Sequence, residues 1–261
     1  MKRIKTKSRA SPQEVGPLKD NKLQAVILAG GLGTRLRPYT FLLPKPMLPV
    51  GPKPIMEHIL EWLKKWGVTD VVVSTGYLGK MIQEYFGSGE EWGMNITYAT
   101  SPRPLGTAGQ LKAAEPKVRG RFVCIYGDQL LDFDLGEAVD FHLKKKAAAT
   151  MVLMKYSTEL KYGFMETDGD GRLVEWREKP TISGYINVGC YVMEKEFLKY
   201  IASGKIYEMN DAFKEAGSKG ARIYAVKVEG SFMDIGDRKS FKEANDLYTK
   251  DLQDGGTRPR R

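Results

Sequence analysis

Leu28-Ala29-Gly30-Gly31-Leu32-Gly33-Thr34-Arg35-Leu36-Arg37-Pro38, running on to Pro44-Lys45-Pro46-Met47, is the stretch from which the fold of this chain is read. The apolar run 23–29 that leads into it is short and closed by glycine, which reads as a buried strand. Glycines directly after such a strand let the backbone approach a bulky anion and turn N–H groups toward phosphate oxygens. The stretch is therefore a phosphate loop. No Gly-Lys-Ser/Thr closes it as in a Walker loop, and Leu36 stands where a dinucleotide fingerprint needs its third glycine. Cations replace those features: Arg35 follows the glycines, and Lys45 sits between Pro44 and Pro46, which restrict the backbone around it. Either half alone would read as a glycine turn with surface charge; together they suit a triphosphate.

Outward from the loop, a second β-like run at 71–75 also ends at glycine, Gly76. Between the two runs Ile55, Ile59, Trp62, Leu63 and Trp66 recur at helical spacing, and Gly67 supplies a C-terminal stop. The two tryptophans are expected in the core. Further alternation follows, with a strand at 96–100, a helix at 108–114 and a strand at 122–126. The fold class this predicts is α/β, a Rossmann-like mixed, mainly parallel sheet with helices on both faces and right-handed crossovers. Beyond about residue 147 β-like runs crowd together at 150–156, 163–167, 173–178 and 185–193. Helical patterns return near 194–202, 210–216 and 239–247. Asp168-Gly169-Asp170-Gly171 resembles a Ca2+ loop only superficially, because Lys179 stands where the closing carboxylate belongs; a hairpin turn is expected instead.

The 261 residues and 42% apolar content suit one globular domain, placed at 23–249 between basic tails at 1–22 and 250–261. Those tails carry most of the formal charge of +9, so the body holds little excess charge and nucleic-acid binding is not expected. The tails read as disordered. No apolar run is long enough to span a bilayer and no signal-peptide pattern opens the chain, so membrane insertion is not expected and a cytoplasmic location is. Cys124 and Cys190 lie in β-like runs and read as buried thiols, without a disulfide or metal role. A homo-oligomer stays open.

Asp128 follows the strand 122–126 directly, at the carboxyl edge where open α/β sheets place ligands. Mg2+ is commonly held by one or two carboxylates together with phosphate oxygens and water, so Asp128 needs a partner. Asp234, within Phe232-Met233-Asp234-Ile235-Gly236, is the candidate. Taken alone, Asp234 reads equally well as a helix cap, and Asp132 and Asp134 compete with Asp128 as turn or capping residues.

At these motifs residues 23 to about 248 resemble the sugar nucleotidylyltransferase family, which includes glucose-1-phosphate thymidylyltransferases and mannose-1-phosphate guanylyltransferases. The resemblance implies joining of a nucleoside triphosphate to a sugar 1-phosphate, with release of pyrophosphate and use of Mg2+ held by Asp128 and Asp234. It implies Arg35, Lys45, Asp128 and Lys179 as the catalytic set, with Arg35 gripping the leaving pyrophosphate and Lys45 contacting phosphate. The backbone of Leu28, Ala29, Gly30 and Gly31 would meet the base and ribose, with Gly33 and Thr34 completing the nucleotide loop.

Three further motifs, Tyr162-Gly163, Glu178-Lys179-Pro180 and Asn187-Val188-Gly189, match the family's sugar-phosphate pocket. Lys179 would bind the sugar's phosphate, Glu178 would accept from sugar hydroxyls, Gly163 would line the sugar, and Asp128 would lie close to it. Without the resemblance, Glu178 and Lys179 read as a strand-end charge pair and Asn187 as a turn-former. Leu105-Gly106-Thr107-Ala108-Gly109 resembles the base loop of guanylyltransferases, so Gly106 and Thr107 join the nucleotide set and guanine is expected. Ser101-Pro102-Arg103-Pro104 replaces the glutamine or glutamate that relatives often carry just upstream. That departure keeps thymidylyl, uridylyl and cytidylyl transfer open, and mannose, glucose or a heptose as the sugar. The 261 residues leave no length for an appended β-helix domain, so acyl transfer is not expected. His58 and His142 are assigned structural places. A non-catalytic nucleotide-sugar-binding regulator is the rival from another class; the presence of Arg35, Lys45, Asp128, Asp234 and Lys179 together argues against it.

Overall fold

The computed structural model describes Leu18 and residues 23–253, and otherwise the two expected tails lie outside the described residues. Leu18 docks on the body: its backbone N–H donates to Trp66 O at 3.2 Å and its side chain packs on the core. β1 (Gln24–Ala29) runs into the glycine loop, a 3-10 turn (Thr34–Leu36), helix α1 (Tyr39–Leu42) and a second 3-10 turn (Lys45–Met47). The short strands β2 (Pro49–Val50) and β3 (Lys53–Pro54) precede α2 (Ile55–Lys65), β4 (Asp70–Thr75), α3 (Gly79–Phe86), β5 (Asn95–Thr100), α4 (Gly106–Ala114) and β6 (Phe122–Tyr126). The second half contributes β7 (Gln129–Phe133), α5 (Leu135–Lys145), β8 (Ala149–Glu159), β9 (Phe164–Thr167), β10 (Leu173–Arg177) and β11 (Thr181–Met193). α6 (Met209–Ser218), β12 (Ile223–Lys227), β13 (Gly230–Asp234) and α7 (Arg238–Gln253) complete it.

The central sheet has seven strands in the order β12-β8-β11-β6-β1-β4-β5. Only β11 runs against its neighbours, antiparallel to both β6 and β8, so the sheet is mixed and mainly parallel as expected. Side chains alternate between its faces. On β1, Ala25, Ile27 and Ala29 enter one core with α2 and α5, while Val26 and Leu28 enter the other with α4 and α6. α2 forms because Ile55, Ile59, Leu60, Trp62 and Leu63 share a buried stripe, with Glu57 in its first turn and Lys64 and Lys65 in its last opposing the helix dipole. Trp62 and Trp66 are core residues, as expected.

The structure completes the sequence reading of the second half in one respect and corrects it in another. β8, β11 and β12 extend the same sheet, while β9 and β10 stand apart as a hairpin, every residue of both strands exposed. The expected helix at 194–202 is a 3-10 helix, Lys195–Tyr200. Glu194 N–H is tied to Ala148 O at 3.0 Å and Phe197 N–H to Glu194 O at 3.0 Å, so this short link between sheet and α6 winds tightly while burying Phe197 and Leu198. The Asp168 turn is a hairpin turn, with Asp168 N–H donating to Arg172 O and Gly171 N–H to Asp168 O, both at 3.0 Å. Cys124 and Cys190 are buried free thiols, and burial pushes both well above the ordinary thiol range. Among the described residues no helix is long and apolar enough to cross a membrane.

Candidate active site

Neighbouring parallel strands β1 and β6 end side by side, and the loops that leave their carboxyl ends form a cleft. Gly127 N–H donates to Leu28 O at 2.9 Å, holding the two strand ends together. The cleft is lined by Leu28, Ala29 and Gly31 on one side, Tyr126, Gly127 and Asp128 on another, Lys45 and Pro46 at one end, and Thr107 and Gln110 from α4. Gly33 has φ of 60°, and a Cβ there would stand 2.8 Å from Thr40 Cγ2, so only glycine fits the turn. Thr40 Oγ1 donates to Gly33 O at 2.8 Å and locks it. The turn brings back the proline-flanked Lys45, whose Nζ donates to Asp128 Oδ2 with its side chain 11% exposed.

Asp128 Oδ1 is buried and has no partner among the described residues. Its other neighbour arrives by sheet pairing: β13 lies antiparallel to β7 with Asp234 opposite Gln129, and Ile235 N–H donates to Asp128 O at 2.9 Å. Loss of water raises the Asp234 carboxyl above its ordinary value, Asp128 raises it further, and Lys45 and Arg35 oppose the rise. Arg35, exposed on its 3-10 turn, converges on the same place. A Cβ on Gly236 would lie 3.3 Å from Asp234 Oδ2 and 3.5 Å from Arg35 Nη2. The competing roles separate: Asp134 caps α5 by accepting from Glu137 N–H at 3.0 Å, Asp132 faces Lys65 at 3.8 Å, and Asp237, not Asp234, accepts from Ser240 N–H at 2.8 Å at the start of α7. No group of three or more His, Cys, Asp or Glu side chains poised for a metal occurs among the described residues. Two carboxylates with one orphaned oxygen fit a hard cation that takes its remaining ligands from phosphate and water.

Two residues that sequence reasoning missed shape the α4 wall. Gln110, 9% exposed, accepts the Gly30 N–H through Oε1 at 2.8 Å, so that N–H, expected to meet a nucleotide, is already engaged. Glu208 Oε2 accepts from both Thr107 N–H at 3.1 Å and Thr107 Oγ1 at 2.8 Å, while Met209 N–H donates to Thr107 Oγ1 at 2.7 Å. Gly106 opens α4 at φ of 70°, where a Cβ would meet Tyr207 O at 2.6 Å.

The sugar-side motifs form two groups. Asn187 Nδ2 donates to Tyr191 Oη at 2.8 Å and its Oδ1 accepts from Gly189 N–H at 3.0 Å; Tyr191 Oη lies 3.1 Å from Tyr126 Oη at the cleft wall. The turn needs Gly189 at φ of 67°, because a Cβ would meet Gln129 Nε2 at 2.5 Å. Burial pushes the Tyr126 and Tyr191 hydroxyls up, so both stay protonated. The second group is on the hairpin: a Cβ on Gly163 would meet Glu178 Oε2 at 3.0 Å, and Trp176 Nε1–H donates to that oxygen at 3.3 Å. Lys179, with φ of 44°, is exposed and makes no ion pair among the described residues. No hydrogen bond or ion pair among the described residues joins Glu178 or Lys179 to Asp128 or Lys45. The geometry thus unites the glycine loop, Lys45, Asp128 and Asp234 and leaves the hairpin motifs Gly163, Glu178 and Lys179 outside the residues that line the cleft.

A profile of the family described as "Nucleotidyl transferase" matches residues 24–251, which takes in every strand and nearly all of the last helix. The chain belongs to the nucleotidyl transferase family. This family member is 37% identical over 233 residues to a UTP–glucose-1-phosphate uridylyltransferase of Synechocystis sp., covering 82% of the chain and 60% of that relative. It is 34% identical over 233 residues to a D-glycero-alpha-D-manno-heptose 1-phosphate guanylyltransferase of Aneurinibacillus thermoaerophilus, covering 88% of the chain and 99% of that relative. Among solved structures, a protein assigned as a glucose-1-phosphate thymidylyltransferase of Bacillus anthracis superposes with a TM-score of 0.71 at 29% identity, covering 86% of this chain and 94% of that one. This nucleotidyl transferase therefore spans about 60% of the length of its uridylyltransferase relative and nearly all of its guanylyltransferase relative.

Proposed function

We propose that this chain transfers the nucleotidyl group of a nucleoside triphosphate to a sugar 1-phosphate, forming a nucleoside diphosphate sugar and pyrophosphate. The observation that carries the reading is Asp128: one carboxylate oxygen is held by Lys45 and the other is buried without a partner among the described residues, at the mouth of a glycine loop. A buried orphan acceptor is costly in a folded protein, and a bound cation or substrate is what relieves it. Asp128 and Asp234 are the residues that would hold Mg2+. When bound, that ion supplies positive charge to the crowded phosphates.

The chain's own residues do the rest. A sugar 1-phosphate oxygen is anionic near neutral pH and needs no base, so its attack on the α-phosphorus requires position and neutralised charge. The new bond joins that oxygen to the α-phosphorus; the bond from the α-phosphorus to the α–β bridging oxygen breaks, and pyrophosphate leaves with the electron pair. Lys45 stands over the glycine loop and Arg35 at its exit, where the leaving phosphates collect charge. Lys179 carries the sugar's phosphate, with Glu178, Gly163 and Asn187 lining the sugar. Guanine with mannose 1-phosphate or a related sugar is the preferred pairing, resting on the Leu105–Gly109 loop and the named guanylyltransferase relative. The uridylyltransferase relative makes UTP with glucose 1-phosphate the second reading.

Pyrophosphate release, measured with Mg2+ across GTP, dTTP, UTP, CTP and ATP against mannose, glucose and N-acetylglucosamine 1-phosphates, tests the proposal. One strongly preferred pairing is expected. Nucleotide binding by none of the five would overturn it.

A further inference from the structure

We infer that Gln110 reads the exocyclic group at C6 of a purine or C4 of a pyrimidine, accepting bases that carry an oxygen there (guanine, uracil, thymine) and rejecting those that carry an amino group there (adenine, cytosine). This inference rests on the nucleotidyl-transfer reading of the cleft and narrows its substrate class. Gln110 is a polar side chain only 9% exposed, yet it lines the cleft. A nearly buried amide in a cleft wall that it shares with Leu28, Ala29, Tyr126 and Thr107 requires a hydrogen-bonding reason.

Its amide has one orientation. A backbone N–H can only donate, so the 2.8 Å bond from Gly30 fixes the carbonyl oxygen against the glycine loop and leaves the Nε2 donor on the other side. The helix behind it is also held, because Ser74 Oγ donates to Gln110 O at 3.2 Å in the buried interior. Nε2 has no protein partner among the described residues and is not sealed away from the cleft. An oriented donor that reaches the cleft, with no partner among the described residues, is placed to recognise a ligand.

The ends of the glycine loop give the direction. At the Gly33 end stands Lys45, its Cβ 3.5 Å from where a Gly33 Cβ would be, with Asp128 bonded to it. At the Gly30 end stands Gln110, whose Oε1 lies 2.7 Å from where a Gly30 Cβ would be. Phosphates gathered by Lys45 therefore direct the base toward Gln110. An oxygen at purine C6 or pyrimidine C4 satisfies Nε2–H, whereas an amino group at that position sets donor against donor and strands both.

Isothermal titration of the full chain with Mg2+ and each of GTP, UTP, dTTP, CTP and ATP, without sugar phosphate, tests this. The wild-type chain should bind at least one of GTP, UTP and dTTP about tenfold or more tighter than both ATP and CTP. Gln110→Glu keeps an oxygen for Gly30 and replaces the donor with an acceptor. Whatever its added charge does to all five affinities, the ratio of oxygen-bearing to amino-bearing bases should fall about tenfold or more. Wild-type affinities for all five within about threefold, or a ratio unchanged in Gln110→Glu, would overturn the role of Gln110 while the nucleotide-binding reading stands. Folded chain that binds none of the five would overturn both.

Discussion

Lys45 and Asp128 are 83 positions apart, and their contact is the centre of the site. Each was legible in the sequence, because a lysine between two prolines and an aspartate just past a buried strand are local signals. Gln110 and Glu208 were not. Their partners, Gly30 and Thr107, lie 80 and 101 positions away, and nothing local distinguishes a glutamine that folds against a glycine loop from one that faces water. Asp234 was legible only as one of two readings, and the β7–β13 pairing together with the capping role of Asp237 removes the helix-cap one. Replacing Lys45 with Ala, or Asp128 with Asn, should lower kcat about 10²-fold or more, the order expected for removing a preorganised charge-stabilising group. Steady-state pyrophosphate release checks this, with thermal unfolding to show that each variant remains folded.

At the scale of elements, the strand–helix alternation from β1 to β6 was readable because parallel strands buried on both faces are continuous apolar runs closed by glycine. The second half was harder to read. β8 and β11 are half core and half exposed, so their apolar period breaks partway along, and α5 is capped by Asp134, whose sequence signal suits a turn as well as a cap. β13 matters most to the site, since it delivers Asp234. It starts at Gly230 with φ of 148°, and a Cβ there would clash with Asp132 O. Gly230→Ala should therefore destabilise the chain by about 1–3 kcal/mol and displace Asp234. Urea unfolding measures the first effect. A raised Mg2+ requirement for pyrophosphate release measures the second, and an unchanged requirement would separate the ladder from metal binding.

At the scale of the whole molecule, the two cores meet the sheet from opposite faces, and buried polar groups tie the helices to it. His142 on α5 is fully buried, with Nδ1 2.9 Å from Thr150 Oγ1 on β8 and Nε2 3.3 Å from Glu194 Oε1 at the end of β11. Its structural assignment from sequence agrees with this place. The neutral ring donating from Nε2 to Glu194 and accepting at Nδ1 satisfies both contacts. Burial lowers its pKa, Glu194 opposes that shift and Arg121 reinforces it, leaving a net depression. The unfolded chain then binds the extra proton more readily, so this contribution is complete above the ordinary histidine value of about 6.5 and declines as pH falls below it toward the depressed folded value. Wild type should lose more stability between pH 7.5 and 5.5 than His142→Gln, as read by urea midpoints; equal losses would remove His142 from the account.

The chemistry of the whole chain is tested most directly by 31P NMR of a reaction containing the protein, Mg2+, the five nucleoside triphosphates and the three sugar 1-phosphates as a pool. Pyrophosphate and a sugar-linked nucleoside diphosphate should appear in equal amounts, only when both substrate classes are present. Nucleoside diphosphate with orthophosphate, or nucleotide binding without any turnover of the pool, would contradict it.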